Sequence, residues 1–85
     1  MGTIESLATI CTDFKERKYD LEELQSRLET LMITDDLKLN LEKERNDALN
    51  RLEEIRFTSL EANYFKYGLE VANGLLEKIQ AFRNS

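Results

Sequence analysis

Apolar residues return every three or four positions along most of this chain, and the places where that rhythm shifts mark the ends of its elements. Ile4, Leu7, Cys11 and Phe14 fall at 3-4-3 spacing, which puts them on one stripe of a helix, with Ala8 and Ile10 widening it. Thr3 suits the N-cap of that helix and Glu5 meets its positive end. Lys15, Arg17 and Lys18 gather at its C-terminal end, where cations are favoured. Asp20 followed by Glu23 forms a capping-box pattern, so a second helix starts there. Leu21, Leu24, Leu28 and Leu31 repeat the 3-4-3 spacing, and Met32 and Ile33 extend it. A connection of about three residues around Lys18 and Tyr19 implies an antiparallel hairpin.

The second half of the chain contains a reversal of phase. No proline or turn-like run interrupts residues 35–85, so the stretch reads at first as one long helix. Thr34, Asp35 and Asp36 cap and charge its start. At roughly 100° per residue, Leu37, Leu41, Ala48, Leu52 and Ile55 share one narrow stripe. That stripe is continued by Asn63, Lys66, Glu70, Asn73 and Glu77, while the apolar set moves to the other side from Leu60 onward. Either the chain turns, or one helix serves two partners on opposite faces. Thr58 with Glu61 matches a second capping box, and Phe57 is placed to staple against Ala62, so a break is expected at 56–59. The last segment is apolar over a broad face, with Tyr64, Tyr67, Val71 and Leu75 beside Phe65, Leu69, Ala72, Leu76 and Ile79. Gly68 lies on that face, where a missing side chain lets another helix come close.

These readings predict an all-α single domain over 1–85, a small antiparallel bundle of four helices at about 3–17, 20–33, 35–56 and 59–83. If 35–83 is continuous there are three, and the rod of roughly 70 Å at 1.5 Å per residue demands a second copy to cover it. With no proline and 41% apolar residues, the composition agrees with a helical globule rather than a disordered chain. No apolar run approaches the roughly 18 residues of a membrane span, and no signal peptide is visible at the start. A single cysteine fits a reducing, cytoplasmic setting and excludes an internal disulfide.

Charge bears on partners. The net charge of −5 lies in residues 1–57, because residues 58–85 balance three acids with three bases. Lys38, Lys43, Arg45, Arg51 and Arg56 are interleaved with Glu42, Glu44, Asp47, Glu53 and Glu54, the pattern of a solvated helix face. Nucleic-acid binding, which needs uncompensated Lys and Arg against phosphate, is not expected. A basic protein partner is compatible with the acidity.

Candidate chemistry is sparse. With no histidine, the commonest general base, the Ser-His and Cys-His pairs and the usual zinc and di-iron ligand sets are missing. Cys11 sits on an apolar stripe and reads as a small buried hydrophobe. Asp13, Glu16 and Asp20, with Asp35 and Asp36, read as a solvated acidic face and helix caps, not a calcium loop. Met1 to Ser6 matches the N-myristoylation pattern, but no basic patch supports it and Glu5 would be repelled by anionic lipid. No catalytic, cofactor or metal residues are therefore assigned.

What remains is aromatic. Tyr19, Tyr64 and Tyr67, with Glu70 beside them, are the candidate partner contacts, because tyrosine anchors many protein interfaces. The expected function is a non-enzymatic helical module that binds protein: a small inhibitor, an immunity-type protein or an adaptor. The alternative is a structural homodimer driven by the long C-terminal segment.

Overall fold

The computed structural model describes residues 3–33 and 38–84, with side chains described for 4–33 and 41–81. Four α-helices are present among these residues: α1 (Thr3–Lys15), α2 (Leu21–Thr30), α3 (Lys38–Thr58) and α4 (Tyr64–Asn84). A 3-10 turn, Glu61–Asn63, leads into α4. Each helix packs on its neighbours in chain order, and α4 closes the ring against α1. The result is the expected all-α bundle of four helices. Its longest extent is 38 Å, far short of the roughly 70 Å that a continuous 35–83 rod would need. α3 and α4 fold back on each other, so no continuous rod is left that needs a second copy to cover it.

The phase reversal becomes a turn because each stripe faces the same core from opposite sides. Leu41, Ala48, Leu52 and Ile55 of α3 and Ala72, Leu75 and Ile79 of α4 are buried together with Leu7, Cys11 and Phe14 of α1 and Leu21, Leu24 and Leu28 of α2. Burying the Leu, Ile and Phe side chains among them contributes roughly 1.5–3 kcal/mol each and is the main force closing the bundle. Gly68 sits among them, and its packing role is as expected: a β-carbon there would meet Leu21 and Phe14.

Several boundaries differ from the expected ones, each for a local reason. α1 stops at Lys15, not residue 17. The Arg17 amide donates to the Phe14 carbonyl (2.9 Å) and the Lys18 amide to that of Asp13 (3.0 Å), the paired bonds of a Schellman ending. Arg17 holds the left-handed conformation this requires (φ 61°), a place usually taken by glycine. The Lys18 ammonium adds an ion pair to Asp13 at 3.2 Å.

At the start of α2, the Asp20 carboxylate accepts from the Glu23 amide at 2.9 Å, as the N-cap pattern predicts. α2 ends at Thr30, three residues before the expected limit, because Leu31 turns extended (ψ 125°). Arg45 of α3 explains why that ending is stable. Its Nη1 donates to the carbonyls of Leu28 (3.1 Å) and Leu31 (3.0 Å), taking acceptors that a longer helix would have satisfied itself. Met32, expected to extend the stripe, is 85% exposed.

α3 runs to Thr58 rather than residue 56. The expected capping box at Thr58 and Glu61 does not form. The Thr58 hydroxyl instead donates back to the Glu54 carbonyl at 2.7 Å, a bond available to threonine inside a helix. Leu60 occupies the N-cap position of the following turn without a side-chain bond. Phe57 is 81% exposed, so the proposed staple to Ala62 is absent too. The turn is held from another direction: the Tyr64 hydroxyl donates to the Arg56 carbonyl at 2.9 Å, capping the end of α3 from the start of α4. The side chain of Thr3, the cap at Thr34, Asp35 and Asp36, Leu37 and the Gly2 motif lie outside the described residues.

Candidate functional site

The two tight connections, 16–20 between α1 and α2 and 59–63 between α3 and α4, come together at one end of the bundle. Between them opens a cleft of about 700 Å³. Phe14 and Leu21 form its apolar floor, and Tyr19, Tyr64 and Phe65 line it with aromatic surface. Phe14 is the hub of this aromatic set, with ring centroids 6.4 Å from Tyr19 and 5.4 Å from Phe65. Such separations fall in the range where tilted rings attract.

Arginines are laid over these rings. The Arg17 guanidinium lies 3.8 Å from the Phe65 centroid and that of Arg27 lies 4.6 Å from the Tyr19 centroid. Arg27 is paired with Glu23 at 3.0 Å, and Nη1 of Arg56 donates to Oε1 of Gln25 at 2.8 Å. Among the described residues the Arg17 guanidinium has the Phe65 ring as its neighbour and no carboxylate or carbonyl acceptor. Asp20, Glu22 and Glu61 also line the cleft, so both signs of charge are present.

Of the four expected contact residues, the cleft brings together Tyr19 and Tyr64 and leaves out Tyr67 and Glu70. Tyr19 is half-buried, and its hydroxyl donates to the Ile10 carbonyl. Burial pushes its phenol up to about 12, against a smaller lowering by the Arg27 charge. Tyr67 is half-buried against the core with the Lys66 ammonium 5.8 Å from its ring, and Glu70 is exposed further along α4. Sequence reasoning missed Arg17, Arg56 and Phe65 as cleft residues. A signal for Arg17 existed: a cation in the short connection after an amphipathic helix, where a glycine would ordinarily end it.

Two large apolar side chains flank this end without cover. Phe57 is 81% exposed and Leu60 is 75% exposed, and they bracket the turn that carries Arg56 and Glu61 to the cleft. Cys11, in contrast, is fully buried, and desolvation raises its thiol to about 12, so it is held as the neutral, unreactive form. No group of three or more His, Cys, Asp or Glu side chains that could hold a metal occurs among the described residues. Among those residues, too, no helix is long and apolar enough to cross a membrane. No protein-family model, no curated protein and no solved structure matches the chain.

Proposed function

We propose that this chain is a non-enzymatic helical module that binds another protein, an inhibitor, immunity-type protein or adaptor, through the cleft end of the bundle. The observation that carries this reading is the pairing of uncovered Phe57 and Leu60 with an adjacent aromatic-walled cleft. Interface centres are enriched in aromatic residues and arginine, and large apolar side chains left in water on a small domain mark contact surfaces. Tyr19 and Tyr64 remain the proposed contacts, with Phe57 and Leu60 added; Tyr67 and Glu70 would belong to a partner that reaches along α4.

A photo-crosslinking amino acid at position 57 or 60 tests this, compared with the same group at the exposed position 73 on α4. A partner crosslinked from the source lysate only at 57 and 60, and lost when Tyr64→Ala is added to a still-helical domain, is the expected result. Equal products at all three positions, or none, overturn it. The second reading, self-association, draws on the same exposed pair. Sedimentation at low micromolar concentration decides between them, since a monomer there excludes a stable homodimer.

A further inference from the structure

Arg17 occupies a backbone conformation that side-chain-bearing residues rarely adopt, at a helix ending where glycine would sit without strain. Its side chain nonetheless has an aromatic neighbour. The guanidinium carbon stands over the Phe65 ring, 3.8 Å from its centroid, a cation–π contact that leaves the N–H donors available to a further acceptor. Among the described residues those N–H donors have no acceptor, while Lys18, Arg27 and Arg51 are each engaged by a carboxylate. Arg56 stands in the same cleft and gives one nitrogen to Gln25.

From these features we infer that the cleft receives an isolated carboxylate of a partner protein, seated on the Arg17 guanidinium, next to an apolar side chain that packs on Tyr19, Tyr64 and Phe65. The planar fork of arginine matches a carboxylate with two parallel N–H···O bonds. The rim explains why the group is isolated. Arg17 and Arg56 offset one carboxylate, whereas any further acid meets Asp20, Glu22 and Glu61, so one carboxylate on an otherwise apolar segment is the occupant proposed. A chain terminus or a single Asp or Glu beside an aromatic residue has this form. The inference rests on the protein-binding reading above.

N-acetylphenylalanine carries both features and serves as the probe, with N-acetylphenylalanine amide as the neutral control and inorganic phosphate as the competing anion. The readout is the NMR signal of the Arg17 Nε–H together with the backbone amides of the cleft. Binding in the roughly millimolar range is expected for so small a ligand. It should shift the Arg17 signal, whereas the amide should not. Arg17→Gly suits the backbone, so the domain stays folded, and affinity should fall about tenfold or more; Arg17→Lys should restore only part of it. No response up to about 50 mM, an equal response to the amide, a response to phosphate alone, or unchanged affinity in Arg17→Gly overturns the inference. A partner crosslinked at position 57 or 60 with no carboxylate response at Arg17 sinks this inference alone. Failure of the crosslinking sinks the reading beneath it.

Discussion

A β-carbon added to Gly68 would stand 2.5 Å from Cδ1 of Leu21, and the Phe14 ring tip would be 2.7 Å away. This close approach lets α4 lie against the α1–α2 hairpin, and it couples the core to the cleft, because Phe14 and Leu21 form the cleft's floor. Phe14 and Leu21 are themselves buried, so making room would push them out of the core packing towards the cleft.

Gly68→Ala should therefore destabilise the domain although alanine is the better helix former. Overpacking costs about 1–3 kcal/mol, against about 1 kcal/mol gained in helix propensity. Gly74 supplies the control, since a β-carbon there meets nothing within 4 Å. Gly74→Ala should stabilise by about 0.5–1 kcal/mol, which at this size raises the thermal midpoint by several degrees, roughly 4–8 °C per kcal/mol. Thermal unfolding followed by circular dichroism should show the two substitutions moving the midpoint in opposite directions. A shift of the same sign in both would contradict the packing described.

Arg45 spans from α3 to the carbonyls of Leu28 and Leu31. Arg45→Met keeps most of the apolar stem and removes the donors, leaving part-buried acceptors without their charged partner. A loss of about 1–3 kcal/mol in urea unfolding is expected, with Arg45→Lys intermediate because an ammonium cannot present the same planar fork. Equal stability of all three would show that water satisfies those carbonyls as well.

A buried thiol and a half-buried phenol predict an alkaline limit to stability. Burial raises the Cys11 thiol from its ordinary 9.0 to about 12, and burial first of all raises the Tyr19 phenol from 10.0 to about 12. In each case the folded chain holds a proton that the unfolded chain gives up sooner. The stability this confers is fully present below about pH 9 for the thiol and pH 10 for the phenol, and is lost as pH rises towards 12. The thermal midpoint should fall over that window, and less steeply in Cys11→Ala and Tyr19→Phe. Native Cys11 should also resist a thiol reagent at neutral pH and react only on unfolding; rapid reaction of the folded protein would place the thiol outside the core.

Much of the bundle is legible in the order of residues, for a physical reason. Leu7, Cys11 and Phe14, then Leu21, Leu24 and Leu28, then Leu41, Ala48, Leu52 and Ile55 each repeat at helical spacing, and each set is buried. A stripe that must leave water identifies itself by its period. The Asp20 cap is local in the same sense, since donor and acceptor lie three residues apart. The turn between α3 and α4 was visible as a change of phase, but its means were not. Thr58 and Phe57 carried the right pattern for a cap and a staple, and the actual clasp is Tyr64 reaching the Arg56 carbonyl across the turn. Among the contact candidates, Tyr19 and Tyr64 lie at the cleft, whereas Tyr67 and Glu70 do not, because a wheel records the face of a residue and not the end of the bundle at which it sits.

By itself, then, the sequence determined that the chain is all-helical, which faces its helices bury and that the apolar phase of the long segment reverses. Those are consequences of spacing within one element. Tertiary structure alone decided that the long segment turns there, making four helices and not three. It alone decided, too, that the 16–20 and 59–63 connections share one end, that Arg17 rests on Phe65 from 48 positions away, and that Arg45 closes the end of α2. Such contacts form only after burial has brought distant segments together, and the cleft exists only where they meet.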